Sequence, residues 1–436
     1  MDRRTFITSA LALPSALAFP RFASDIPKAA HYDVIVCGGG PAGFAAACSA
    51  AAAGMHSAIF ESSSCLGGTW TRGLLSWVFD FKKDGICAEI VSRLDRRNAR
   101  HGGNNRDFVY EPEAMKLILE EIALESKVDV HYFTRCCGAR TKDGKMAAII
   151  TDSKSGIQMW TAKIFIDCTG DGDVCAQAGA SFDFGTNGDR VVQPCSFNAI
   201  VSVKDVEKLA DRISAYKKDS LKGHVDSVRL NLKDLLSYGI DPSYHMPTLF
   251  HLGGNILLMM FNQQYNVHCD NAAELTAATI QARREVFKIV DVLSKTDSPW
   301  NGMKIISTCD HIGIREGRRV KGLYTVSKDD VVNGARHPDA VTRATFCVDI
   351  HAPTKEENKE KTIKNIHTKP YDIPLRALIC RDIDNLMMAG RCISGDRIAH
   401  ASYRVTGNAA DMGYKAGLAA ADFIARGVTP HSLKNS

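Results

Sequence analysis

The chain has 436 residues, of which 45% are hydrophobic and 24% are charged, and its formal net charge is +5. This is the composition of a globular protein that needs no disulfide or metal to hold its core, and the length predicts two or three structural units. No block of Lys or Arg follows the first few residues, which argues against a nucleic-acid partner.

The first 24 residues are predicted to be a signal peptide and not part of the fold. Arg3 and Arg4 form a twin-arginine pattern, and residues 7–19 form a short apolar stretch before small residues typical of a cleavage site. The stretch is too short to span a bilayer comfortably, so no stable membrane span is expected. We therefore expect export of the folded chain by the twin-arginine translocase to the periplasm, with an uncleaved or lipoprotein-like anchor as the alternative.

The fourteen cysteines are dispersed, and several lie in apolar runs. They include no C-x-x-C pair, so the sequence predicts no zinc or iron–sulfur site and no other metal site. Buried, unpaired thiols are the expected state, and they suit a protein that folds before it is exported.

Residues 29–61 predict one β-α-β unit. A Val- and Ile-rich strand over 32–37 precedes a glycine-rich turn, an alanine-rich helix follows over 44–53, and a second strand over 57–60 ends in Glu61. An acid at the end of the second strand can accept hydrogen bonds from both hydroxyls of an adenosine ribose. The unit therefore predicts a dinucleotide site.

The turn carries the pattern G-x-G-x-x-G. Gly38 permits the tight turn, Gly40 lets a pyrophosphate approach the backbone, and Gly43 lets the helix pack against the strand. Pro41 and Ala42 lie in the turn just before the helix, whose free N–H groups and dipole favour a phosphate.

The rest of the chain predicts an α/β fold with a Rossmann-like FAD-binding domain and an inserted domain. Three strands with turns at Asp143-Gly144 and Ser155-Gly156 form an antiparallel β-meander, and another buried strand covers 163–168. We divide the chain into a first FAD-binding part, an inserted α+β substrate or cap domain, and a C-terminal FAD-binding part, over 30–190, 191–370 and 371–436.

The choice between FAD and NAD depends on two further strand ends. The first carries Gly170 and Asp171, and the second carries Gly390 and Arg391 near the C-terminus. The second leads to a helix start at Gly407 and Asn408, which can stabilise negative charge on a reduced flavin. Both strand ends favour FAD, and no second complete glycine motif for NAD(P) is present.

With these motifs in their order, the chain resembles the FAD-dependent oxidoreductase family of the glutathione-reductase-type, two-dinucleotide-binding-domain-like superfamily, in a bacterial exported form. The resemblance covers most of the chain. The matching segments are 38–43 with Glu61, 66–73, 110–113, 167–173, 313–319, 372–376 and 389–394.

The resemblance implies further cofactor contacts. It implies that Gly67, Gly68 and Thr69 lie along the flavin, with Arg72 in the same segment. It also implies that Asp396 lies near the ribityl chain or the pyrophosphate.

Four residues between the last strand end and the last helix are the catalytic candidates. His400 is the candidate general base for removing a hydroxyl proton. Arg397, Tyr403 and Arg404 are candidates for orienting a substrate or stabilising an oxyanion. Small residues are usual here in the family, so this crowding departs from its pattern. His400 bound only to FAD or backbone is the alternative.

A second cluster contains His311, Arg315 and Arg318. It can bind a carboxylate or phosphate, or it can form ion pairs between the domains.

The sequence therefore predicts an enzyme in which FAD takes a hydride from a small polar, hydroxyl-bearing substrate onto N5. A quinone, a carrier protein or oxygen would accept the electrons. A flavin-dependent reductase of a carbon–carbon double bond and a non-catalytic binding protein stabilised by FAD are the alternatives.

Overall fold

The computed structural model describes residues 26–186, 188–216, 224–297, 299–359 and 366–435. The predicted signal peptide, residues 1–24, lies outside the described residues. Within those ranges no helix combines the length and apolarity needed to cross a bilayer.

The described strands are β1 to β18 in chain order. Their bounds are Lys28–Cys37, Ser57–Phe60, Trp77–Val78, Arg100–Gly103, Phe108–Tyr110, Asp129–His131, Arg135–Lys142, Lys145–Ser153, Gly156–Asp167, Phe182–Asp183, Ala199–Ser202, Thr248–His251, Ile256–Met260, Lys304–Thr308, Arg319–Val320, Ala340–Ala344, Tyr371–Pro374 and Leu386–Met388.

The described α-helices are α1 to α10. Their bounds are Pro41–Ala52, Ile86–Arg96, Pro112–Glu125, Asp173–Gln177, His224–Ser237, Ala272–Ser294, Lys328–Asn333, Lys355–Lys359, Arg397–Tyr403 and Thr406–Ala425.

Five parallel strands form the main sheet in the order β6-β2-β1-β9-β18. Their register aligns Cys37 with Phe60 and with Asp167, and Asp167 with Met388. The carboxyl ends of these strands therefore meet at one edge, where open α/β sheets bind their ligands. The first half of β9 continues into the antiparallel β7-β8-β9 meander. Asp143 and Gly144 adopt positive φ at the first turn of the meander, as tight hairpins require.

Helix α1 is alanine-rich and buried almost all round because it packs both on the sheet and against α10. The close approach depends on glycine: a Cβ atom at Gly413 would lie 2.0 Å from the Ala42 carbonyl oxygen. This contact fixes the two helix N-termini, Pro41 and Thr406, beside the ends of the parallel strands.

A four-stranded antiparallel sheet, β12-β13-β11-β14, forms the second unit together with α5 and α6. Its own hydrophobic core runs from Cys195 to Ile314 and also takes in Leu74, Trp77 and Val109. The predicted fold class, a Rossmann-like sheet with a meander and an inserted α+β unit, is confirmed. The predicted domain end at 370 differs from the packing, because residues from Val320 onward belong to the first core.

Candidate active site

The glycine turn forms an open cradle at the end of β1. Gly38 adopts a φ of 97°, and a Cβ atom there would lie 2.6 Å from the Cys168 carbonyl oxygen. At Gly43 a Cβ atom would lie 1.8 Å from the Gly38 carbonyl oxygen, so the helix can approach the strand through glycine alone. A Cβ atom at Gly40 would meet nothing within 4 Å. The backbone at Gly40 therefore faces open space at the start of α1.

Glu61 lies beside this cradle with its carboxylate buried. Its two oxygens accept hydrogen bonds from the backbone N–H groups of Gly39 and Ser63, each at 2.8 Å. The guanidinium of Arg72 lies 3.6 Å from the carboxylate. Oε1 also accepts from the Ser62 hydroxyl at 3.3 Å, whereas Oε2 can accept a further bond, which is what a ribose hydroxyl needs.

The segment after β2 returns to the cradle. The N–H of Gly67 donates to the Gly39 carbonyl at 2.8 Å, and a Cβ atom at Gly68 would lie 3.0 Å from the Gly40 Cα atom. Gly67 and Gly68 both adopt positive φ, which lets the two loops lie against each other. Thr69 follows within a short 3-10 helix over Gly68–Trp70.

Arg391 joins the two later strand ends. Its Nε donates to the Gly170 carbonyl at 3.0 Å, and its Nη2 lies 2.6 Å from Asp171 Oδ1. The same guanidinium donates to the Ile314 carbonyl of the second unit. Arg391 is therefore a half-buried ionic link across the floor of the site.

All of these loops line one cavity of about 1490 Å³ between the two units. Twelve of the seventeen predicted cofactor residues line it: Gly38, Gly40, Pro41, Ala42, Glu61, Gly68, Thr69, Arg72, Gly170, Asp171, Gly390 and Arg391.

The other five predicted cofactor residues do not line the cavity. Gly43 and Gly67 support the cradle from behind, and Gly407 lets α10 pack on the backbone of Asp80. Asn408 is fully buried, and neither polar atom of its side chain has a hydrogen-bond partner in the described part of the chain. Asp396 caps α9 by accepting from the Ala399 N–H at 2.8 Å. The implied contact of Asp396 with the cofactor stays a prediction.

These residues fit FAD. The cradle is open where a Cβ atom would fill it, a carboxylate stands at the ribose position, and two helix N-termini, those of α1 and α10, reach the same cavity. Within the described ranges no group of His, Cys, Asp and Glu is arranged to hold a metal ion.

The FAD-dependent oxidoreductase family model matches residues 33–436. The chain belongs to this family. FAD is its cofactor, and it is an oxidoreductase. No curated protein sequence matches the chain.

Solved structures share its fold. A geranylgeranyl bacteriochlorophyll reductase-like protein from Thermoplasma acidophilum matches with a TM-score of 0.50 and 15% identity, over 92% of this chain and 80% of that one. OxyS anhydrotetracycline hydroxylase from Streptomyces rimosus matches at 0.45 and 12%, over 92% and 64%. p-Nitrophenol 4-monooxygenase from Pseudomonas putida matches at 0.41 and 12%, over 68% and 70%. At 15% identity the first match shows only that the fold is shared.

Among the four catalytic candidates of this FAD-dependent oxidoreductase, Arg404 lines the cavity. Its Nη2 donates to the Asp349 carbonyl at 2.8 Å and lies 3.2 Å from Asp349 Oδ2. Arg397 instead pairs with Glu316, and the Tyr403 hydroxyl donates to the Ile393 carbonyl at 3.0 Å. Neither Arg397 nor Tyr403 lines the cavity.

His400 does not line the cavity, contrary to the prediction that it faces the flavin. Helix α9 turns the ring into the core, where His400 is fully buried and packs against Tyr403. In the described structure neither ring nitrogen has a hydrogen-bond partner. Burial lowers the pKa of His400 far below its ordinary value, and Arg319 and Arg404 lower it further. The ring is neutral but cannot reach a substrate in the cavity.

The second cluster predicted from sequence does line the cavity. His311, Arg315 and Arg318 lie there on an irregular segment and not on a helix. Arg318 pairs with Asp173 at 2.8 Å, as the ion-pair alternative expected. Arg315 donates to the Pro194 carbonyl at 2.7 Å.

A further cluster was missed by sequence reasoning. His351, Asp349 and Tyr244 line the cavity beside Arg404 and Arg315. The pair Asp349 and His351 lies just before a charged stretch that reads as a surface loop. Their spacing carries no motif, and their partners are more than fifty positions away in sequence.

Four aromatic side chains complete the cavity wall. Trp77 stacks on Phe250 with ring centroids 4.8 Å apart, and Phe79 lies 4.8 Å from Phe346. Trp77 and Phe79 pack edge to face at 5.6 Å. Trp70, by contrast, is buried in the first core.

Proposed function

We propose that this FAD-dependent oxidoreductase oxidises a small polar substrate at a carbon that bears a hydroxyl group. FAD, when bound, supplies the acceptor for a hydride at flavin N5. The observation that carries the proposal is the position of His351 on the wall of the FAD cavity, with its Nε2 atom 3.5 Å from Oδ2 of Asp349. Such a pair removes the hydroxyl proton while the carbon loses a hydride, which leaves a carbonyl product.

The ring of His351 is held from both sides. Its Nε2 lies 3.5 Å from Asp349 Oδ2, and its Nδ1 lies 3.1 Å from the side-chain nitrogen of Gln263. Because the carboxylate of Asp349 can only accept, the proton of the neutral ring lies on Nε2, and Nδ1 accepts from the Gln263 amide. Nδ1 is therefore the basic nitrogen, and in the proposal a substrate hydroxyl replaces the Gln263 amide there.

The protonation states suit this role. Burial and the nearby Arg315 lower the pKa of His351 from its ordinary 6.5, and Asp349 offsets them in part. Burial opposes ionisation of Asp349, but His351, Arg404 and Arg315 outweigh it and hold the pKa of Asp349 well below its usual range. The neutral base is thus present above the lowered pKa of His351, and we expect flavin reduction to slow only in acid.

His311 is another histidine on the cavity wall that could accept the hydroxyl proton. Burial lowers the pKa of His311, as does the nearby Arg72, and the other charges that act on it are Asp171, Arg391 and Glu61. These groups line the dinucleotide end of the cavity, so we assign His311 to that end.

The test is anaerobic reduction of the FAD-loaded protein by a panel of sugars, hydroxy acids and alcohols, followed by the loss of flavin absorbance. The proposal expects at least one of them to bleach the flavin and expects His351→Gln to slow that bleaching. A panel that leaves the flavin oxidised refutes the oxidation of hydroxyl groups.

We also propose that the chain acts in the periplasm after twin-arginine export, as an exported member of the glutathione-reductase-type superfamily. A quinone, a carrier protein or oxygen would then reoxidise it. All fourteen cysteines are described, and all are free thiols, which supports folding before export. Cell fractionation of the full chain and of its Arg3→Lys, Arg4→Lys variant tests this, because retention of both in the cytoplasm refutes export.

A further inference from the structure

We infer that the substrate carries a single carboxylate, bound by Arg315 and Arg404, together with an apolar body that lies on the aromatic wall. The inference extends the proposed function by naming its substrate class. It follows from three features of the cavity: an unpaired guanidinium, an excess of one positive charge, and four aromatic rings on the same wall.

Arg315 is a cavity cation that has no carboxylate partner among the residues that the structure describes. In the described ranges its one hydrogen bond is to the Pro194 carbonyl, and no carboxylate lies within 4.0 Å of its guanidinium. That bond uses a single Nη1–H group. The remaining N–H groups of a guanidinium match the two oxygens of a carboxylate.

Arg404 stands in the same cluster and is satisfied only in part. Its Nη2 bonds to Asp349 and lies 3.4 Å from Gln193 Oε1, whereas its buried Nε has no partner among the described residues. Arg404 lines the cavity, so the part of its guanidinium that is not bonded to Asp349 is available to a bound anion.

The charges of the cluster leave room for one anion. Arg315 and Arg404 are positive, Asp349 is negative and His351 is neutral, so the sum is one positive charge. The neighbouring Arg391 is neutralised by Asp171 at 2.6 Å. Arg319 and Arg397 share the single carboxylate of Glu316, but neither arginine lines the cavity.

The aromatic wall favours an apolar body over a fully polar one. Trp77, Phe79, Phe250 and Phe346 line the cavity together with Met246 and Met260. A ring or short hydrocarbon chain gains about 25 cal/mol for each Å² that it buries against such a surface. The substrate class is therefore a hydroxylated monocarboxylate with an apolar portion.

Benzoate is the probe, and benzamide is its neutral match in shape. Equilibrium dialysis against the FAD-loaded protein measures the binding of each without any turnover. We expect benzoate to bind and benzamide to bind at least about tenfold more weakly, because the charge-assisted bonds are lost.

We expect Arg315→Gln to weaken benzoate binding by about tenfold or more and Arg315→Lys to restore part of it. Arg229→Gln, an exposed change on α5, is the matched control and should leave the binding constant unchanged. Equal binding of benzoate and benzamide, no binding of benzoate, or unchanged binding in Arg315→Gln overturns the inference. Dialysis needs no oxidation, so the two proposals can fail separately. If benzoate binds specifically but no member of the panel of sugars, hydroxy acids and alcohols bleaches the flavin, the proposed function is refuted and the anion site is retained.

Discussion

Replacing Gly40 by alanine separates cofactor binding from folding. Gly40 has φ −66° and ψ −175°, an extended conformation that alanine adopts readily before proline. The added Cβ atom would meet nothing within 4 Å. We therefore expect the FAD-free variant to be more stable than the wild type by about 0.4–1 kcal/mol, because its unfolded chain has less conformational entropy.

The same methyl group should block the diphosphate. The first helical hydrogen bond of α1 runs from the Phe44 N–H to the Gly40 carbonyl at 2.9 Å. The earlier N–H groups of Ala42 and Gly43 are therefore the ones available to an anion. Loss of two charge-assisted bonds at about 1.5 kcal/mol each weakens FAD binding by about 3 kcal/mol, or about 100-fold.

Flavin fluorescence quenching measures the affinity, and urea unfolding of the FAD-free protein measures the stability. Gly43→Ala is the matched variant, which should destabilise the fold, whereas Gly40→Ala should not. The Cβ atom added at Gly43 would lie 1.8 Å from the Gly38 carbonyl oxygen, so α1 must move and folding should lose about 1–3 kcal/mol or more. If Gly40→Ala binds FAD as tightly as the wild type, the diphosphate does not lie at this turn.

Three further outcomes are expected. His351→Gln should slow anaerobic flavin reduction by about 10²–10⁴-fold without weakening FAD binding, whereas His400→Phe should leave the rate unchanged. Desolvation on the cavity wall and the nearby Asp171 and Asp167 outweigh the ion pair with Arg318 and raise the pKa of the half-exposed Asp173 from 3.8 to about 6. Since the folded FAD-free protein binds this proton more tightly than the unfolded chain, Asp173→Asn should raise its melting temperature at pH 7.5 but not at pH 4. Arg319→Met removes one of the two arginines that pair with the buried carboxylate of Glu316, leaves Arg397 as the other, and should cost about 1–3 kcal/mol in urea unfolding.

Each of these outcomes has its own check. Equal rates for His351→Gln and the wild type would remove His351 from the proton transfer. A gain in melting temperature for Asp173→Asn that is as large at pH 4 as at pH 7.5 would show that ionisation is not its cause. Arg229→Gln, whose side chain is exposed, gives the baseline for loss of a surface arginine, and a similar loss in Arg319→Met would contradict the buried pair.

The residues of the cofactor cradle could be predicted because they lie close together in the sequence. The strand, turn and helix that end at Ala52, and the acid at Glu61, lie within one short segment, and each glycine has a geometric reason that a sequence pattern states directly. The sequence predicts a strand over 57–60, and the structure has Ser57–Phe60 at these bounds.

The substrate side could not be predicted, for two physical reasons. His400 follows a flavin-binding strand end, but position in sequence does not say which way a short helix turns its residues. Asp396 caps α9, and that cap directs His400 into the core. His351 reaches the cavity through contacts with Gln263 and Asp349, one of which lies far away in sequence and depends on how the inserted unit packs.

The two hydrophobic cores support different parts of the cavity wall. The turn around Ala42 and the strand ends belong to the first core, whereas Phe250 and Trp77 belong to the second. Arg391 joins them by bonding at once to Gly170 and to Ile314. Because the wall that faces the substrate is built largely from the second core, it can change its side chains without disturbing the cradle. A family that shares one cofactor can in this way bind different substrates. Membership of the family therefore identifies the cofactor as FAD, whereas the substrate must be inferred from the arginines and aromatic rings of the cavity wall.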